Sequence, residues 1–148
     1  MSHFSVQITE KGPILWAYVG VSAHRHKALR DAGQPVPNHR VANILVDTGA
    51  TSTCIDQSVI NQLSIQPTGV GFINTPSSGD TPHMVNVYDI SMTITGADGT
   101  SPHKISTLRV NESNLHASGI DGLLGRDVLS RCHMTYEGYG SQMYLTFF

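Results

Sequence analysis

Apolar residues come in short bursts along the chain, alternating in some and unbroken in others, with Gly, Pro, Asn and Asp clustered between them. Phe4, Val6 and Ile8 take every second position, which predicts a short half-buried strand. Residues 14–21 are almost continuously apolar and predict a buried one, as do Ile44, Leu45 and Val46. Residues 51–55 are rich in β-branched side chains and extend the pattern. Asp56 then caps a helix over residues 57–63, with Val59, Ile60 and Leu63 on one side. Two β-rich runs, 70–74 and 83–88, flank the turn-rich residues 75–82 and predict a hairpin. A further pair, 88–95 and 104–110, brackets a turn at 96–100, and a polar stretch over 111–119 follows as a loop. A short helix is expected around Val128, Leu129 and Arg131. The end of the chain, 134–136 and 143–148, is two β-runs about Gly138, Tyr139 and Gly140. Residues 23–43 break the rhythm, with a short helix from Ala23 that Pro35 and Pro37 forbid continuing. The pattern predicts one mainly β domain over residues 1–148 with one or two short helices.

Composition agrees. Charged residues make up only 14% of the chain, apolar ones 39%, and there are 14 Gly and 7 Pro, as suits many turns between short strands. A net charge of -2 argues against a nucleic-acid surface. No apolar run is long enough to cross a membrane as a helix, and no membrane association is expected. Residues 1–7 lack the basic and apolar regions of a leader, so a cytoplasmic location is expected. Cys54 and Cys132 are too few for a disulfide framework and are expected as reduced thiols. The 23–43 segment carries His24, Arg25, His26, Lys27, Arg30, His39 and Arg40. His24 and His26 would share a face only on a strand, and no third ligand accompanies them, so no metal is expected.

The candidate chemistry lies where the run Ile44-Leu45-Val46 meets Asp47-Thr48-Gly49-Ala50. A carboxylate at the end of a buried strand carries a desolvation cost that a site can use. Downstream comes Gly122-Leu123-Leu124-Gly125-Arg126-Asp127-Val128-Leu129. Together, in this order, the two stretches resemble the paired signatures of retropepsin-like, retroviral-type aspartic proteases, in the single-domain branch found also in bacteria. The resemblance covers about residues 13–148.

That resemblance implies a closed β-barrel of the acid protease fold, a single lobe that works as a dimer. It makes Asp47 the catalytic acid, supported by Thr48, Gly49, Ala50, Leu123, Leu124 and Gly125. The hairpin at about 70–88 takes the place of the flap that closes over substrate, with Asn74, Thr75, Pro76, Ser77, Ser78 and Gly79 toward its tip. Residues 23–43 become an inserted loop. The apolar tail is expected as a sticky edge strand for a second copy to cover. No cofactor is implied, because in the family water is the nucleophile and the paired carboxyls activate it.

One Asp-Thr-Gly per chain supplies one acid, and the chemistry needs two. A homodimer acting on a peptide or protein substrate is therefore expected. Ala50 withholds the hydroxyl that pepsin-like sites place there, so a mildly acidic activity optimum is expected, above about pH 3. The usual acid after Asp-Thr-Gly-Ala is replaced by Thr51, leaving Arg126 to find another partner, with Asp56, Asp121, Asp127 or a carboxylate of the second copy as candidates. Two other functions fit the same residues: a binding or assembly module that cleaves little, and a processing protease specific for itself or one partner.

Overall fold

The N-terminal alternation forms strand β1, Ser2–Thr9, and the apolar run forms β2, Gly12–Val21. A computed structural model describes residues 1–74, 81–96 and 101–148. Ser22 then caps helix α1, Ala23–Asp31, by accepting from the Arg25 N–H at 3.2 Å. Strand β3, Arg40–Val46, is followed by β4, Cys54–Asp56, and helix α2, Gln57–Gln62. Next come β5, Gly69–Ile73, β6, His83–Ile94, and β7, His103–Ser113. A single 3-10 turn, His116–Ser118, leads to β8, Gly122–Leu124, helix α3, Arg126–Leu129, β9, Cys132–Glu137, and β10, Gln142–Phe147.

These strands join in the order β5-β6-β7-β4-β8-β3-β2-β1-β10-β9, and β2 also pairs with β6. The extra pairing, Ala17 opposite Ile94 through Val21 opposite Ile90, closes six strands (β2, β3, β8, β4, β7, β6) into a barrel. Its inside is apolar: Val19, Ile44, Ile55, Ile90, Met92 and Leu124 have no exposed surface. Each such side chain contributes about 1.5–3 kcal/mol of burial. β5 extends the barrel on one side. On the other, β1, β10 and β9 form a sheet whose inner side carries Phe4, Leu145 and Phe147.

Several expectations are revised. The strand predicted over 51–55 begins only at Cys54, because residues 51–53 make the return turn of the Asp47 loop. The runs 83–88 and 88–95 are one strand, bent by a register shift between Ile90 and Met92. The polar stretch from Asn111 starts as strand, because the end of β7 pairs with β4. In the segment 23–43, α1 is the short helix expected from Ala23, but the expected inserted loop ends early, because β3 takes over from Arg40. The apolar tail is not an open edge. β10 is paired along its length with β1 on one side and β9 on the other, since the chain reverses through residues 138–141, with Ser141 at φ 55. The expected turn residues 97–100 lie outside the described residues.

Candidate active site

β3 carries Asp47 to the rim of the barrel. Val46 is in the core, Asp47 is half-buried, and Thr48 and Gly49 are exposed. The Asp47 N–H donates to the Leu124 carbonyl at 3.0 Å, and the Ala50 N–H donates to the Asp47 carbonyl at 3.2 Å. The carboxylate Oδ1 accepts the Gly49 N–H at 2.9 Å, a charge-assisted bond that fixes its orientation. Gly49 does not have a positive φ. Its value is close approach, since a Cβ there would lie 3.1 Å from Asp47 Oδ1.

The second signature meets the first directly. β8 lies between β3 and β4, with Leu124 beside Val46 and Leu123 beside Leu45 and opposite Cys54. Leu124 is fully buried, while Leu123 is half-buried and faces the cleft described below. Gly125 is pressed against the return of the Asp47 loop: a Cβ would sit 2.5 Å from the Ser52 carbonyl carbon. The Arg126 N–H donates to the Ala50 carbonyl at 2.9 Å. The Arg126 guanidinium takes none of the suggested acids among the described residues. It donates to the Thr48 carbonyl at 2.9 Å and to Thr51 Oγ1 at 3.2 Å, so the residue that replaces the usual acid is itself a partner. Asp121 instead accepts the Asn43 N–H at 2.9 Å, and Asp56 caps α2.

Thr53, which the sequence did not single out, and Asp127, expected there only as a candidate partner of Arg126, bind the signatures together. Thr53 is fully buried, and its hydroxyl donates to Asp127 Oδ1 at 2.8 Å while accepting the Gly125 N–H at 3.2 Å. The other Asp127 oxygen accepts the Thr53 N–H at 3.0 Å. A hydroxyl in a β-branched run and an acid just after Gly-Arg were the available signals, and both are common surface features.

The Asp47 loop opens on a cleft of about 720 Å³, with Phe72, Ile73 and Asn74 of the hairpin on its margin. Asn74 is the described member of the expected flap-tip set. Thr75, Pro76, Ser77, Ser78 and Gly79 lie outside the described residues. Asn111, Ser113, Asn114 and Leu115 line the cleft as well, although that stretch reads only as a polar loop in sequence. Cys54 also borders it. Burial, then the Asp127 and Asp47 carboxylates, push its thiol up to about 11, so it stays protonated and is a poor nucleophile. Cys54 and Cys132 are both free.

Asp56 holds the cleft wall in place. One carboxylate oxygen accepts the Leu115 and His116 N–H groups at 2.7 and 3.0 Å, and the other caps α2 through the Ser58 N–H. Burial alone would raise its pKa, but these bonds and the Ser58 hydroxyl together lower it below 3.8. The stabilisation is fully present above that value and is lost as pH falls from it through the lower folded value. Asp56→Asn is therefore expected to destabilise the protein by about 1–3 kcal/mol near neutral pH. Urea melts taken downward from pH 6 should show the gap to wild type shrinking below about pH 4. A gap independent of pH would contradict the assignment.

Among the described residues no group of three or more His, Cys, Asp or Glu is placed to hold a metal ion. His24 and His26 lie in α1, where a spacing of two sets them on different faces. No helix among the described residues is long and apolar enough to cross a membrane.

No protein-family model matches the sequence, and no curated protein matches it. Among solved structures, the chain is similar to a retropepsin-like aspartic protease from Rickettsia conorii, with a TM-score of 0.56 at 13% identity. The match covers 98% of this chain and 93% of that one. The fold is retropepsin-like. In this retropepsin-like barrel the two signatures are adjacent strand ends, which explains why they lie far apart in sequence and are still hydrogen-bonded to each other.

Proposed function

We propose that the protein is an aspartic endopeptidase, complete only as a homodimer in which Asp47 of one copy faces Asp47 of the other. The observation that carries this is a carboxylate oriented by Gly49 on an exposed turn at the mouth of a cleft of about 720 Å³, with a single Asp-Thr-Gly in the chain. Two carboxyls about 3 Å apart resist double ionisation and hold one proton between them. The ionised one takes a proton from water as the water oxygen attacks the peptide carbonyl. The protonated one gives its proton to the carbonyl oxygen, forming a tetrahedral diol. Collapse of the diol breaks the C–N bond, a proton passes to the leaving nitrogen, and a carboxylic acid and an amine result. Thr48 and Gly49 support the turn, and Leu123, Leu124 and Gly125 back it. The hairpin that bears Asn74 covers the peptide.

The test is the dependence of cleavage on protein concentration. With a mixed peptide library as substrate, activity per chain should rise with concentration and level off where sedimentation shows the dimer to be complete. The optimum should lie above about pH 3. Constant activity per chain down to fully monomeric protein would overturn the shared site. A protein that binds the library without cutting it would be the binding module instead, and one that cuts only itself would be the processing enzyme.

A further inference from the structure

The Asp47 cleft does not stop at Ile73. A second cavity of about 510 Å³ adjoins it, with Ile73, Ser113 and Asn114 lining both. Phe72 at the first cavity and Val70 and Met84 at the second are 68%, 54% and 62% exposed. Phe72 pairs directly with Met84 and Val70 with Asn86, so these side chains share one face of the hairpin. Apolar Val70, Phe72 and Met84 give way on that face to Asn86 on β6 and then to Glu112 on β7.

Glu112 is half-buried and borders the second cavity. The Tyr88 hydroxyl and the Asn86 amide each lie 3.5 Å from one of its two carboxylate oxygens, long bonds that orient it without neutralising it. Tyr88 is itself buried, which keeps it a donor: burial, then the Glu112 charge, raise its pKa above 10.0. Glu112 has no ion-pair partner among the described residues, where the one salt bridge is Lys27 to Asp31 on α1. His83 borders the same cavity but makes no ion pair with it. A carboxylate held by neutral donors in a partly desolvated groove is a receptor for a cation.

We propose that Glu112 is a specificity-determining residue, selecting peptides that place a Lys or Arg side chain in the second cavity while apolar side chains lie against Phe72, Val70 and Met84. The proposal rests on the peptidase reading above. The substrate class is thus a mixed one, an extended apolar segment with a basic residue at one end of the bound stretch.

The experiment compares wild-type cleavage of peptide series that differ at one position at a time between Lys and norleucine, which keeps the four-carbon chain of Lys and lacks its ammonium. One position is expected to favour Lys by about five- to tenfold in kcat/KM, an order of magnitude typical of a half-buried charge pair. The preference should fall with added salt and vanish in Glu112→Gln, which keeps one acceptor for Tyr88 or Asn86. The wild-type comparison stands even if that variant folds poorly. Equal rates for Lys and norleucine at every position, with cleavage intact, would overturn this inference and leave the peptidase reading standing. Lys preference that persists in a folded Glu112→Gln would overturn the role of Glu112. No cleavage above that of Asp47→Asn in any series would remove both.

Discussion

Asp47→Asn is expected to fold as the wild type does and to lose about 10²–10⁴ of its peptidase rate or more. Asn keeps an oxygen that can accept the Gly49 N–H, now at 2.9 Å from Asp47 Oδ1. The side chain is half-buried at the rim, so the change in stability should stay within about 0.5 kcal/mol. What Asn lacks is the ability to take a proton from water or to hold one for the carbonyl. The variant also tests sharing. Mixed in excess with wild type, it should draw active chains into dimers with one acid and suppress activity, whereas a catalyst complete in one chain would be unaffected. Proteolysis by pure Asp47→Asn equal to that of wild type would remove Asp47 from the chemistry.

Gly125→Ala should produce the second large effect, this time on both stability and activity. The added carbon would meet Ser52 C at 2.5 Å, Ser52 O at 2.7 Å and Thr53 N at 2.9 Å. These are backbone atoms, so no rotamer change relieves the clash and the loop itself must shift. Overpacking of this kind costs about 1–3 kcal/mol, and each kcal/mol lowers Tm by about 2–4 °C at this size. The shift would also disturb the Gly125 N–H bond to Thr53 Oγ1 and, through Asp127, the return of the Asp47 loop. Gly69→Ala is the control: nothing lies within 4 Å of a Cβ there and φ is not positive, so little change is expected. Melting curves and cleavage rates of the two variants side by side check the contrast. Equal behaviour would mean that close approach at Gly125 is not needed.

Much of this fold was legible because its apolar pattern is local. The bursts at 14–21 and 44–46 needed only burial to become strands, and Asp56 announced α2 by its chemistry as a cap. Ring closure was legible only through the family resemblance, because the pairing of β2 with β6 joins residues far apart in sequence and leaves no local mark. Neither was the extension of β7 through Asn111 to Ser113, whose polar side chains look like a loop but whose backbone is claimed by β4. At the candidate site, the signatures marked Asp47, Leu124 and Gly125 by their unusual order of residue types. The pairing of Thr53 with Asp127 escaped, since a hydrogen bond between residues 74 apart is invisible until the chain is folded. Arg126 went to a carbonyl and a hydroxyl, partners that no charge pattern predicts.

Placing β10 between β1 and β9 has a bearing on how two copies can come together. The tail has no unsatisfied ladder to offer, so exchange of terminal strands would first have to break pairing already made within one chain. On the homodimer reading, folding and association would then be separate events: each barrel would ripen alone, and encounter would join finished bodies. Dilution that separates the copies would lower cleavage, and by mass action it would lower the midpoint of thermal unfolding as well. On the peptidase reading, abundance itself would thus set when cleavage occurs.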